Sequence, residues 1–388
     1  MIQLRSATRN KSSTVLLLAG TRPELIKLAP VYLALQTFHG LEPIFVSTGQ
    51  HRELLEDALF PFKIQLDHNF QIMSEANSLD QVMSLTFSKS SQLFAQEKPA
   101  AVIVQGDTST AASVAICAYN NRIPVAHVEA GLRTGNLLSP HPEEGNRKII
   151  SQVAKWHFTP TKTATENLLK EGVEEASIHQ VGNTVIDALQ YVSELLEDDQ
   201  DFTNNFIQKI GCDPKNQKTV LITCHRRENF GKPIRQILSA IRELARAEKD
   251  TVFILPIHPN PEVQNAVKEV LKELLANLFL TSPMNYQEMV FLMKNCHFAM
   301  TDSGGLQEEL PTFKKPILVL RETTERPEAV DQGFAKLVGS SKDLIIQHAT
   351  KLLNDPNYFQ EFTKGRNPFG DGKSSAKIAD IMYSSLIA

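Results

Sequence analysis

Three loops in the first half of the chain set carboxylates among small residues: Gly106-Asp107-Thr108, Val128-Glu129-Ala130-Gly131-Leu132-Arg133 and Pro142-Glu143-Glu144-Gly145-Asn146-Arg147. A carboxyl group can give or take a proton when its environment tunes it, so Asp107, Glu129 and Glu143 are candidate catalytic groups, with Arg133 and Arg147 as cations close by in sequence. Each also has a plain alternative. Asp107 ahead of Thr108 could cap a helix, and either glutamate could be a solvated charge.

The second half is richer in anion-binding signals. Thr223-Cys224-His225-Arg226-Arg227-Glu228-Asn229 sets a histidine beside a basic pair after an apolar run. A histidine flanked by arginines is poorly placed for a core, so His225 and Arg226 read as phosphate contacts. Two glycine turns lead into helix-like stretches. In Gly20-Thr21-Arg22-Pro23-Glu24, Pro23 suits a first helical turn whose amides attract an anion, with Arg22 in place and Lys27 one turn on. The pattern is not GxGxxG, which disfavours a dinucleotide. In Thr301-Asp302-Ser303-Gly304-Gly305, Gly304 and Gly305 let the backbone approach a diphosphate, Ser303 can donate to it, and Glu309 can accept from ribose hydroxyls. Ligand-free capping turns, and Lys27 as ordinary helix surface, are the competing readings.

These loops need a frame that brings them together. Apolar runs at Val15–Ala19, Glu42–Val46, Ala100–Val104, Val125–Val128, Val220–Thr223, Phe253–Pro256, Phe298–Thr301 and Ile317–Leu320 each precede a helix-like stretch. That alternation predicts an α/β fold of two Rossmann-like, doubly wound parallel sheets, with strand ends facing a cleft between two domains. The series breaks between about Val185 and Lys218, which places the boundary near Val181 to Asn183. The expected division is an N-terminal extension over 1–13, a first domain over 14–182 and a second, nucleotide-binding domain over 183–366.

A chain of 388 residues exceeds one ordinary core, and its formal charge of -4 gives no reason to expect nucleic acid or an anionic membrane as partner. The four cysteines form no CxxC pair, so neither a zinc site nor a disulfide framework is signalled, and a reducing cytoplasm fits. The polar, basic stretch Met1 to Ser13 runs into an apolar segment too short for a signal-peptide core or a membrane span.

The motifs GTRPELIK, QHRE, QGDTST, HVEAGLRTG, SPHPEEGNR, VGNTVIDAL, HRREN, PIHPNP, TDSGGLQEE and RETTERPEAV, with NPFGDG near the carboxyl end, closely resemble those of bacterial non-hydrolysing UDP-N-acetylglucosamine 2-epimerases. The resemblance runs from about Val15 onward and implies a GT-B-like pair of domains, with residues 367–388 packing back onto the first. It implies acid/base roles for Asp107, Glu129 and Glu143, and UDP contacts from Arg22, His225, Ser303 and Glu309. His225 is counted with the catalytic set as well. Lys27, Arg133, Arg147, Arg226, Gly304, Gly305 and Arg326 complete the expected contacts to UDP and sugar. The implied substrate is a UDP-N-acetylhexosamine, with neither metal nor cofactor, in a cytoplasmic homodimer.

The sequence departs from the family pattern where regulated members bind a second nucleotide sugar. Gln50 and His51 are present, but Glu53 replaces a frequent glutamine, and Ser74-Glu75-Ala76-Asn77 lacks the expected arginine and glutamine. His141 and Gly145 also differ from the common residues around the PEE motif. Three other readings stay open: a hydrolysing relative, an epimerase of a modified UDP-sugar, and a nucleotide-sugar-binding protein without turnover.

Overall fold

The computed structural model describes residues 13–49, 58–273 and 275–387. The chain forms two compact units, Met1–Ala188 with Phe369–Ala388, and Leu189–Pro368.

The first unit is built on parallel strands β1 (Ser13–Ala19), β2 (Leu41–Ser47), β3 (His68–Asn69), β4 (Ala101–Gln105), β5 (Val125–Val128), β6 (Trp156–Thr159) and β7 (Ile178–Gln180), in the spatial order β3-β2-β1-β4-β5-β6-β7. Helices cover both faces of such a sheet, so its central strands are buried on both sides and read as unbroken apolar runs. Val15 to Ala19 and Ala101 to Val104 are all buried for that reason. The second unit repeats the plan with β8 (Thr219–Thr223), β9 (Val252–Pro256), β10 (Leu278–Thr281), β11 (Phe298–Thr301), β12 (Ile317–Val319) and β13 (Ala335–Leu337), ordered β10-β9-β8-β11-β12-β13. Its helix Lys232–Ala247 buries Ile234, Ile237, Leu238, Ile241 and Leu244 at helical spacing. Each such side chain contributes about 1.5–3 kcal/mol when fully buried.

All eight expected apolar runs are strands. Five more strands were not anticipated: the short β3, β6, β7, β10 and β13. The chain passes between units inside the helix Thr184–Leu195, a few residues beyond the turn where the sequence places the boundary. The carboxyl-terminal helix Ser374–Leu386 belongs to the first unit, where Tyr383 packs against Phe38 with tilted rings whose centroids are 5.0 Å apart. At its start Ser375 donates through its amide and hydroxyl to Asp187 at 2.7 and 2.5 Å.

In both sheets the strand order reverses once, between β1 and β4 and between β8 and β11. Open α/β sheets bind ligands beyond the carboxyl ends of the strands at such points. The register sets the loops that leave neighbouring strands level with one another. Gln105 pairs with Val128, so the loops that begin at Gly106 and Glu129 leave the sheet side by side. Thr223 pairs with Thr301, which does the same for the loops carrying His225 and Ser303.

Candidate active site

In the first unit Gly20 lies where no Cβ fits, because the Thr110 side chain fills the space. Thr21 precedes the helix Arg22–Gln36, and Glu24 reaches back to accept from the amides of Gly20 and Thr21 at 3.0 and 2.6 Å. Its other oxygen accepts from Thr108 at 2.7 Å, tying the first turn to the loop of Asp107. Burial pushes the Glu24 carboxyl up to about 7, although the hydrogen bonds from Thr108, Thr21 and Gly20 pull the other way. Arg22, at the start of that helix, is half-buried, and no acid among the described residues pairs with it.

Asp107 is not a helix cap. Thr108 takes that role for the helix Ser109–Asn120, accepting from the Ala111 amide at 3.0 Å. The Asp107 carboxylate instead receives two nitrogens of Arg147, at 2.8 and 2.5 Å, while Asn146 donates to its carbonyl at 2.8 Å. Glu129 sits in the left-handed region at φ +64°, a conformation that costs a residue with a Cβ about 1–3 kcal/mol. It is held there by an ion pair with Lys27 and by the amides of Gln105 and Asn183, each 3.1 Å from Oε2. Asn183 is fixed in turn, its backbone amide donating to the Phe369 carbonyl at 2.6 Å.

The adjacent glutamates at the start of the helix Glu143–Val153 are not alike. Glu144 is fully buried and accepts from the amides of Thr134 and Gly135 at 3.1 and 3.2 Å and from Arg147 at 3.0 Å. Burial alone would raise its pKa, but those amides and Arg147 together hold it below the ordinary value. Glu143 is half-buried, and its Oε2 is enclosed with no hydrogen-bond partner among the described residues. Glu143 thus keeps an enclosed oxygen without a hydrogen bond among the described residues, while Glu144 ties the start of the helix to Thr134 and Gly135.

Arg133 and Arg326, expected at the substrate, are both engaged within their own units. Arg133 forms a fork with Glu171 at 3.0 and 2.7 Å, reaches Ser151 at 3.2 Å, and with Lys148 holds Glu171 down at about 2. Arg326 pairs with the buried Glu308.

In the second unit the organising group is Asp302, which is wholly buried. Its Oδ2 accepts from the amides of His225 and Arg226, both at 2.8 Å, and from Asn229 at 2.9 Å. The buried acid thus bends the loop after β8 so that His225 and Arg226 leave the strand end together. The His225 ring stacks on His258, 5.3 Å away, and lies 3.4 Å from Asp302. Burial lowers the His225 pKa, Arg226 and His258 add to that, and Asp302 opposes it. The Arg226 Nε is buried without a partner, and its guanidinium lies over Gly304, where a Cβ would stand 3.5 Å from it.

Ser303 precedes the helix Gly304–Glu309 but makes no side-chain cap, and its amide donates to Thr301 at 2.9 Å. Gly305 and the buried Glu309 complete the turn, a Cβ on Gly305 standing 3.7 Å from the Glu309 carboxylate and 3.9 Å from the Ser303 hydroxyl. An uncapping hydroxyl, a guanidinium nitrogen without a partner among the described residues and glycine backbone meet around one turn, groups of the kind that can receive an anion. Sequence reasoning did not single out Glu24, Gln105, Asn183, His258 or Asp302 as site residues. Asp302 had a visible signal, a carboxylate directly after a buried strand.

The overall sequence matches the family model described as UDP-N-acetylglucosamine 2-epimerase over residues 33–383. The chain belongs to that family. It is 43% identical over 371 residues to a UDP-N-acetylglucosamine 2-epimerase of Campylobacter jejuni, covering 95% of this chain and 97% of the relative. Among solved structures it is similar to the UDP-GlcNAc 2-epimerase of Neisseria meningitidis bound to UDP-GlcNAc, with a TM-score of 0.89 and 41% identity over 96% of this chain and 100% of that one. It is also similar to S. aureus MnaA in a co-structure with UDP, with a TM-score of 0.85 and 36% identity over 96% and 97% of the two chains. The α/β fold is therefore of the GT-B-like kind expected for the family.

Gln50, His51 and Glu53 lie outside the described residues. No group of three or more His, Cys, Asp or Glu side chains able to share a metal ion occurs among the described residues, and no helix among them is long and apolar enough to cross a membrane.

Proposed function

We propose that this chain inverts carbon 2 of UDP-N-acetylglucosamine, interconverting it with UDP-N-acetylmannosamine by anti elimination and re-addition of UDP. Carbon 2 has no neighbouring carbonyl, so direct deprotonation would leave an unstabilised carbanion. Departure of UDP from carbon 1 develops oxocarbenium character that acidifies the carbon 2 hydrogen, and its loss gives a 2-acetamidoglucal. Protonation on the opposite face and return of UDP complete the inversion. No hydride leaves the sugar, so the route has no need of a nicotinamide.

The observation that carries this reading is that three acids follow the carboxyl ends of the adjacent strands β4 and β5: Asp107, held by Arg147; Glu129, held by Lys27; and Glu143, at the start of the next helix, with an enclosed oxygen that has no hydrogen-bond partner among the described residues. Acids at three separate backbone positions can serve opposite faces of a sugar, and positioned proton transfer supplies about 10² to 10⁴ in rate. In this reading Arg22, His225, Arg226, Ser303, Gly304, Gly305 and Glu309 hold UDP, while Lys27 and Arg147 orient carboxylates. Arg133 and Arg326 brace the loops through Glu171 and Glu308. The product serves cell-surface polysaccharide assembly, and the enzyme works as a cytoplasmic homodimer. The turnover is also independent of added UDP-N-acetylglucosamine as activator, a reading that rests on Glu53 and on the lack of arginine in Ser74 to Asn77, where Glu75 already pairs with Lys89 at 2.7 Å.

The test is incubation with UDP-N-acetylglucosamine in deuterated water. Deuterium at carbon 2 of both epimers, with the UDP linkage kept, is the expected result. Free N-acetylmannosamine would point to a hydrolysing enzyme. Absence of exchange would leave a binding protein.

A further inference from the structure

His127 lies in β5, wholly buried and paired in register with Val104. Its ring contacts the loop that carries Asp107: Nε2 is 2.8 Å from the carbonyl oxygen of Gly106. A carbonyl only accepts, so Nε2 carries the proton. Nδ1 is then a bare acceptor, and it is buried with no partner. A phenylalanine would fill this place in the sheet without an orphaned nitrogen, so the histidine is explained only by what its other nitrogen does.

The neighbouring groups of the same loop are held from other directions. The Gly106 amide donates to Val128 at 3.0 Å, the Asp107 carbonyl accepts from Asn146, and the Asp107 carboxylate is gripped by Arg147. Gly106 turns at φ +71°, so two softly hinged bonds separate the end of β4 from Asp107. Among the described residues the His127 bond is what holds the Gly106 carbonyl, and the plane of that peptide sets where Asp107 starts.

We propose that His127 is a positioning residue of the reaction, whose Nε2–H locks the Gly106 carbonyl and thereby aims the Asp107 carboxylate. This rests on the reading of Asp107 as a group that acts on the sugar. Burial lowers the pKa of the ring to about 3, outweighing the Gly106 bond and Glu129, which raise it, while His157 and Arg133 lower it further. The ring is therefore a neutral donor throughout the physiological range and does not itself carry the substrate proton.

The test compares His127→Phe and His127→Gln with Asp107→Asn and the double variant His127→Phe/Asp107→Asn, reading kcat, KM, UDP affinity and thermal midpoint. H127F removes donor and orphan together; kcat should fall about 10- to 100-fold with UDP affinity nearly unchanged, as expected when a reacting group is displaced by a fraction of an ångström to an ångström. H127Q retains an N–H and should recover most of that loss. In the D107N background H127F should cost little more, because both changes act through one carboxylate. If phenylalanine does not fit, H127L serves in the same comparison. Near-parental kcat in H127F or H127L, beside a slow D107N, overturns the positioning role alone. Near-parental kcat in D107N overturns the reading of Asp107 and with it the role given to His127. Additive losses in the double variant, or H127Q no better than H127F, also overturn it, since a merely structural histidine would give both.

Discussion

The two units share one architecture and one switch-point geometry, yet they use charge in opposite ways. In the first, acids at the strand ends are held by partners: Asp107 by Arg147, and Glu129 by Lys27, Gln105 and Asn183. In the second, the acid at the strand end is buried, and Asp302 uses its carboxylate to draw the His225 and Arg226 amides inward. What that strand end presents is the imidazole of His225 and the guanidinium of Arg226. The difference teaches that fold alone does not settle what a strand end does. In the proposed function the strand ends of one unit move protons and those of the other hold an anion, according to whether their carboxylates face the loops or underpin them.

The largest effects should come from removing the charges on the first unit's loops. Asp107→Asn, Glu129→Gln and Glu143→Gln are each expected to lower kcat by about 10² to 10⁴ while changing UDP affinity by much less. Steady-state rates beside UDP titration calorimetry make the check, and a variant with near-normal turnover leaves the mechanism. The converse should hold in the second unit. Arg226→Ala is expected to weaken UDP binding about 10- to 100-fold, in proportion to one lost charge-assisted hydrogen bond. If UDP affinity stays intact in that variant, the contrast between the units fails at its second half.

A smaller, pH-dependent effect separates structural from reacting carboxylates within the first unit. Glu24 has a folded pKa of about 7 against an ordinary 4.5, so between those values the folded chain keeps a proton that the unfolded chain has released. Its contribution to stability is fully present below the lower value and is lost as pH rises through the upper one. Glu24→Gln, uncharged at every pH, should flatten the change in urea midpoint between about pH 5 and pH 8 relative to the parent. An unchanged slope would mean that the carboxyl is ionised throughout.

Much of this was legible in the sequence because the central strands of a parallel sheet are apolar on both faces. Val15 to Ala19 and Phe298 to Thr301 announce themselves by composition. β6 did not, since Trp156-His157-Phe158-Thr159 alternates with polar residues, and β10 was hidden in Leu271 to Leu280, where leucines suit a helix equally well. The candidate acids were visible from type and spacing, but their division of labour was not. Nothing in Glu143-Glu144 says that the second accepts two backbone amides while an oxygen of the first is left unpartnered. The same holds for Arg133 and Arg326, whose partners Glu171 and Glu308 are known only from distance. Long-range pairing is a property of the folded backbone, and spacing along the chain does not encode it.

Glu129 occupies a backbone conformation that glycine or asparagine would adopt at less cost. Its carboxylate pairs with Lys27 and receives the Gln105 and Asn183 amides, so glycine or asparagine there would relieve the backbone but take a shared acceptor away from three neighbours. The strained angle at position 129 is thus kept by the charges and amides around it, and a substitution that eases the backbone there should be measured for lost stability before it is counted as a gain.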